Sequence, residues 1–189
     1  NELNATGVAY WQRVSAAVLT ELLERAGAQA AMLVEQLDPH ALALHGVAWA
    51  GEMQSENWMN TGRDYTEWWH HQMQIRDAVG APSLLTARWL APLLDFSMRA
   101  LPPAYASTDA AEGTSVAVYV DGEAWSVRRE GGRWVLYEGT TDAPTTTVRL
   151  DADTAWRIFY NAQRGRAAAV VSGDVLLAEP LFRTRSVMV

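Results

Sequence analysis

Residues 114–129 read "TSVAVYVDGEAWSVRR", and this stretch decides the fold class. Apolar and polar residues alternate with a period of two on either side of Asp121 and Gly122. An Asp-Gly pair flanked by two alternating runs is the strongest short-range signal for a β-hairpin. Working outward, "GGRWVLYEG" (131–139) predicts a third strand after a Gly-Gly turn, and "TTTVRL" (145–150) a fourth. "DADTAWRIFYNAQ" (151–163) opens with an aspartate suited to an N-cap and predicts a helix with Ala155, Trp156, Phe159 and Tyr160 facing inward. "AAAVVSGDVLLAEPLF" (167–182) predicts a strand, a turn at Gly173 and Asp174, and a short helix. "RSVMV" (185–189) predicts a closing strand.

Upstream, the period is helical. In residues 8–37, Val14, Val18, Leu22, Leu23 and Ala26 recur at steps that build one apolar stripe, with Gly27 a candidate bend and "LDPH" (37–40) the stop. After a short apolar segment (41–52), a helix is expected over about 56–79. Gly80 and Pro82 end it. A further helix covers 83–100, with a kink or break expected at Pro92, and "LPPAY" ends it. The expected class is therefore α+β: a helical half over 1–104, a small polar linker, and an α+β half over 112–189.

Composition narrows the function. Of 189 residues, 49% are hydrophobic, enough for one packed core or two small ones. No apolar run approaches the roughly 18 residues that span a bilayer, and "NELNATG" carries no signal-peptide features. Cysteine is absent, which excludes disulfides, thiolate metal ligands and a cysteine nucleophile, and fits a cytoplasmic protein. Any thiol chemistry must use a thiol that arrives with a substrate. Net charge is −7, and the 15 Lys and Arg are scattered, so no nucleic-acid partner is expected. Nine tryptophans point to cores and pocket walls.

The chemistry-bearing residues cluster in "RDYTEWWHHQMQIRDAVG" (63–80). On a helix, Glu67 and His71 are four apart and lie one above the other, so both can reach one divalent ion at roughly 2.0–2.2 Å. His70 points away from that geometry. Asp64 or Gln74 could accept the second imidazole N–H and set the tautomer. The competing reading is a plain surface Glu–His pair, which this spacing produces often. The aromatics Trp58, Tyr65, Trp68 and Trp69 are expected to wrap the helix and bury the carboxylate, which raises the case for a metal. His40 and His45 have no evident aim at the helix, and a local hydrogen bond suits His45.

The block "GVAWAGEMQSENWMNTGRDYTEWWHHQMQIRDAVGAP" (46–82), the helix "LLTARWLAPLLDFSMRALP" (84–102), and the later "W.VRREGGRWVLYEG" and "AWRIFYNAQ" resemble the mycothiol-dependent maleylpyruvate isomerase family. That resemblance implies a DinB-like, metal-binding helix bundle followed by a sterol-carrier-like α+β domain. It implies a divalent metal, usually zinc, held by a histidine from an early helix and a Glu-x-x-x-His pair, which Glu67 and His71 match. His70 stands where the family is usually apolar. The first histidine would precede Asn1, so the chain is expected to lack an N-terminal segment, the alternative being a loss of two helices. The implied activity is isomerisation or S-transfer on an electrophilic small molecule, with mycothiol as thiol cosubstrate, in a monomer or homodimer. Arg164 and Arg166 are the candidates for holding a substrate carboxylate. The rival classes are a small-molecule binder and a dimerising protein with a vestigial metal site.

Overall fold

The structure, a computed structural model, describes residues 2–45, 54–160 and 168–186. The chain divides into two compact units, Asn1–Ala41 and Leu42–Val189. Among the described residues, no helix is long and apolar enough to cross a membrane.

The first unit holds α1 (Glu2–Trp11) and α2 (Ala16–Gln36). The single helix expected over 8–37 is thus two. Ser15 causes the break: its backbone is extended and its side chain accepts from the Val18 N–H, so α2 starts afresh. Gly27 lies within α2, and the helix stops at Gln36, just before Asp38 and Pro39, as expected.

In the second unit, α3 spans Asn57–Val79. Gly80 ends it in a left-handed conformation (φ 66°), with the Ala81 N–H returning to the Arg76 carbonyl at 2.9 Å. The next helix, α4 (Ala87–Met98), continues through Pro92, and the interruption falls at Arg99 and Ala100 instead. "LPPAY" is itself a short helix, α5 (Leu101–Tyr105): prolines in a first turn forfeit no intrahelical bond.

Five strands follow: β1 (Ser115–Val120), β2 (Glu123–Glu130), β3 (Arg133–Glu138), β4 (Thr146–Leu150) and β5 (Val170–Gly173). Their order in the sheet is β3-β2-β1-β4-β5. The β1–β2 hairpin turns at Asp121 (φ 46°) and Gly122 (φ 97°), with Val120 opposite Glu123. Both turn residues take positive φ, which is what a two-residue turn matched to strand twist demands. At the β2–β3 turn, the Glu112 carboxylate accepts from the N–H groups of Gly131 and Gly132, each at 2.9 Å. β4 runs parallel to β1, the other neighbours are antiparallel, and the sheet is mixed.

Helix α6 (Ala152–Phe159) is capped by Asp151, which accepts from the Thr154 N–H at 2.6 Å. Ala155, Trp156, Phe159 and Tyr160 are all buried, as the period required. A 3-10 turn (Val175–Ala178) and α7 (Glu179–Arg183) close the described fold. Of the expected closing strand, residues 187–189 lie outside the described residues, and Arg185 and Ser186 are not in a strand.

The fold class is α+β, as expected. The division of the chain differs from the boundary read at 104–112. Trp69 and Met73 of α3, Leu93 and Leu94 of α4, and Tyr105 of α5 join Val116, Val118, Val127 and Trp156 in one core. Each such side chain contributes about 1.5–3 kcal/mol by leaving water. Polar ties repeat the pattern: the Tyr105 hydroxyl donates to the Leu177 carbonyl at 2.7 Å, and Ser97 bonds the Tyr160 hydroxyl at 3.0 Å. A change of period marks where secondary structure changes, whereas shared burial decides which elements fold together.

Candidate metal pair and its surroundings

On α3, Glu67 Oε2 lies 3.7 Å from His71 Nε2. Gln74, one turn further on, places its Oε1 2.9 Å from His71 Nδ1. Of the two candidate partners, then, Gln74 serves the imidazole, while Asp64 pairs with Arg63 at 3.1 Å. With the ring proton on Nδ1 donated to Gln74, Nε2 is left as a lone pair facing a carboxylate oxygen. Two such acceptors have nothing to share unless a proton or a cation lies between them. A tetrahedral ion with bonds near 2.1 Å separates two ligand atoms by about 3.4 Å. The observed spacing is close to that bite, so these two residues fit a divalent cation as part of a ligand set.

The expectation that aromatics bury this pair is not met. The His71 side chain is 63% exposed and the Glu67 side chain 33%. Trp68 also faces solvent, and of the flanking aromatics only Trp69 is fully buried. The reason is amphipathicity: Thr66, Trp69, His70 and Met73 form the packed side of α3, and Glu67, His71 and Gln74 fall beyond it.

His70 takes the other role. It is 7% exposed, and neither ring nitrogen has a hydrogen-bond partner. Its ring stacks on His71 (5.2 Å, 20° between planes) and leans on Tyr160 (5.2 Å). Burial is the largest cause holding its pKa below the ordinary histidine value. Burial pushes the Tyr160 hydroxyl up well above the ordinary tyrosine range. The helix therefore separates the three candidate ligands: Glu67 and His71 come together, and His70 belongs to the core.

Of the other candidates, the His45 carbonyl accepts from Asn60 Nδ2 at 3.2 Å, and the His40 N–H donates to Asp38 Oδ1 at 3.0 Å. Among the described residues, no group of three His, Cys, Asp or Glu side chains is arranged to hold a metal. Arg164 and Arg166 lie outside the described residues.

Two features escaped the sequence reading. Arg157 joins Asp153, four residues back, to Asp77 at the end of α3; the first contact was legible as an i,i+4 pair. In the second, the Trp125 indole donates to Asp95 at 3.1 Å, a contact that no local spacing signals.

No family model matches the chain, and no curated protein matches it. Among solved structures it is similar to the UbiJ-SCP2 ubiquinone synthesis protein, at 19% identity over 52% of this chain and 90% of that one, with a TM-score of 0.32. It is also similar to sterol carrier protein 2 like 2 from Aedes aegypti, at 18% identity over 48% of this chain and 93% of that one, with a TM-score of 0.34. The resemblance to the maleylpyruvate isomerase family therefore rests on the motif residues alone.

Proposed function

We propose that this chain belongs to a metal-dependent enzyme that activates a low-molecular-weight thiol, mycothiol, for reaction with an electrophilic small molecule. One observation carries the reading: His71 lies between two side chains of its own helix, with Gln74 Oε1 2.9 Å from Nδ1 and Glu67 Oε2 3.7 Å from Nε2. Glu67 and His71 would hold the ion, and Gln74 would keep the imidazole oriented. Bound there, a divalent ion such as zinc lowers the pKa of a thiol so that thiolate is available at neutral pH. The exposure of His71 suits a site open to a thiol and a substrate. The chain has no cysteine, so the nucleophilic sulfur must come from the cosubstrate. Isomerisation by addition, bond rotation and elimination, and S-transfer by displacement, are both within this reading. In either case Arg164 and Arg166 are assigned to a substrate carboxylate.

The test is metal content followed by turnover. Purified protein should carry zinc or nickel, and His71→Ala should abolish it; wild-type metal content in that variant overturns the site. Turnover of an electrophile panel should require mycothiol.

A second reading, a small-molecule binder without catalysis, is favoured because, among the described residues, no group of three His, Cys, Asp or Glu side chains is arranged to hold a metal. No thiol-dependent turnover across the panel would select it.

A further inference from the structure

Helix α3 carries a second feature on its far side. Trp58, Gly62 and Tyr65 lie roughly 150° around the helix from Glu67 and His71, at about 100° per residue. With Asp95 and Phe96 of α4 and its C-terminal neighbour Arg99, they line a cleft of ≈ 530 Å³. Gly62 explains the aromatic floor. A Cβ at that position would come within 2.5 Å of the Phe96 ring, so only glycine lets the ring settle against α3.

Two charged groups line the cleft, Asp95 and Arg99, and of these only the Arg99 guanidinium has neither a hydrogen bond nor an ion pair among the described residues. It lies 4.6 Å from the Trp58 ring centre. The neighbouring carboxylates are engaged by indoles: Asp95 accepts from Trp125 at 3.1 Å and Glu56 from Trp58 at 2.8 Å. Across Asp95 and Arg99 the cleft adjoins a recess of ≈ 310 Å³, walled by Trp125, Tyr137 and Glu138.

Flat aromatic walls with a single available guanidinium suit a flat ligand bearing a single negative charge. A second anionic group would meet Asp95 or Glu138. We propose that this cleft binds a small aromatic or conjugated monocarboxylate. Arg99 takes the carboxylate, and Trp58, Tyr65 and Phe96 hold the flat body. The site is separate from the Glu67–His71 pair and does not depend on the thiol chemistry.

The purified chain can be titrated with 1-naphthoate while the indole N–H signals are followed by NMR, with Trp58 and Trp125 assigned through Trp→Phe variants. Uncharged 1-naphthalenemethanol and the dianion naphthalene-1,4-dicarboxylate serve as comparisons. Naphthoate should saturate, shift the Trp58 and Trp125 signals, and bind about tenfold tighter than either comparison. Arg99→Gln, an exposed position, should lower naphthoate to the level of the alcohol and leave the alcohol unchanged. The proposal is overturned if naphthoate does not saturate, if the dianion or the alcohol binds as tightly, if other indoles shift instead, or if Arg99→Gln retains wild-type affinity.

Discussion

Arg157 and Asp77 are 80 residues apart in the chain and meet through two contacts, at 3.0 and 3.3 Å. The same guanidinium holds Asp153 at 2.8 Å, so one arginine ties the end of α3 to the start of α6. Its side chain is 13% exposed, whereas both carboxylates are about half exposed, which discounts the electrostatic gain. Arg157→Ala should lower stability by about 1–2 kcal/mol, read as a lower urea midpoint at unchanged slope. An unchanged midpoint would show that solvent already screens the clamp.

Acid stability should report on the same clamp. The hydrogen bond from Arg157 is the largest cause holding the Asp153 pKa below its ordinary value of 3.8. The unfolded chain then binds the proton first as pH falls. The contribution is complete above the ordinary carboxylate pKa and is lost as pH drops through the depressed folded value. Arg157→Ala should flatten stability against pH on the acid side only. A parallel offset at all pH values would assign the effect to packing.

His70 is buried with neither nitrogen bonded. Leucine there would fill much of the same space without the desolvated polar atoms. His70→Leu should therefore stabilise the protein by about 1–3 kcal/mol in chemical denaturation. Destabilisation would mean that His70 has a polar role the folded chain depends on.

In the proposed metal site, Gln74 would act on the ion only through His71, whose Nδ1 it contacts at 2.9 Å. Gln74→Leu should weaken zinc affinity about 10–100-fold, measured by competition with a chromophoric chelator, while His71→Ala removes binding altogether. Equal affinity in Gln74→Leu and wild type would detach Gln74 from the site.

Gly62 and Phe96 set a limit on how closely α3 and α4 approach. Alanine favours a helix over glycine by about 1 kcal/mol, which opposes the overpacking expected from a Cβ 2.5 Å from the ring. The clash should win, and Gly62→Ala should lose about 1–2 kcal/mol net. Phe96→Leu in the same chain should recover part of that loss. A stabilised Gly62→Ala would show that the ring can move aside.

The pair Glu67 and His71 was legible because helical spacing alone puts i and i+4 on one face. Their exposure was not. Counting aromatics near the helix suggested that it was wrapped, but Trp68 and Trp69 lie on different sides of it, at 63% and 3% exposure. Adjacent residues on a helix differ by about 100° in direction, and the packing partner alone decides which becomes interior. Ser15 shows the opposite error: a cap signal was present in the residues, and the apolar period running past it hid the break between α1 and α2.

What the residues determined by themselves was local. The Asp121 and Gly122 hairpin, the end of α3 at Gly80 and the Asp151 cap each depend on dihedral preference and hydrogen bonding within a few positions. The tertiary structure decided the rest. It set β4 parallel to β1, drew α3, α4 and α5 into the core of the sheet, and joined Arg157 to Asp77. It also left His71 in water and His70 in the interior. Each of these outcomes turns on surface buried between segments far apart in the chain, and a local pattern carries no record of which distant partner will cover it.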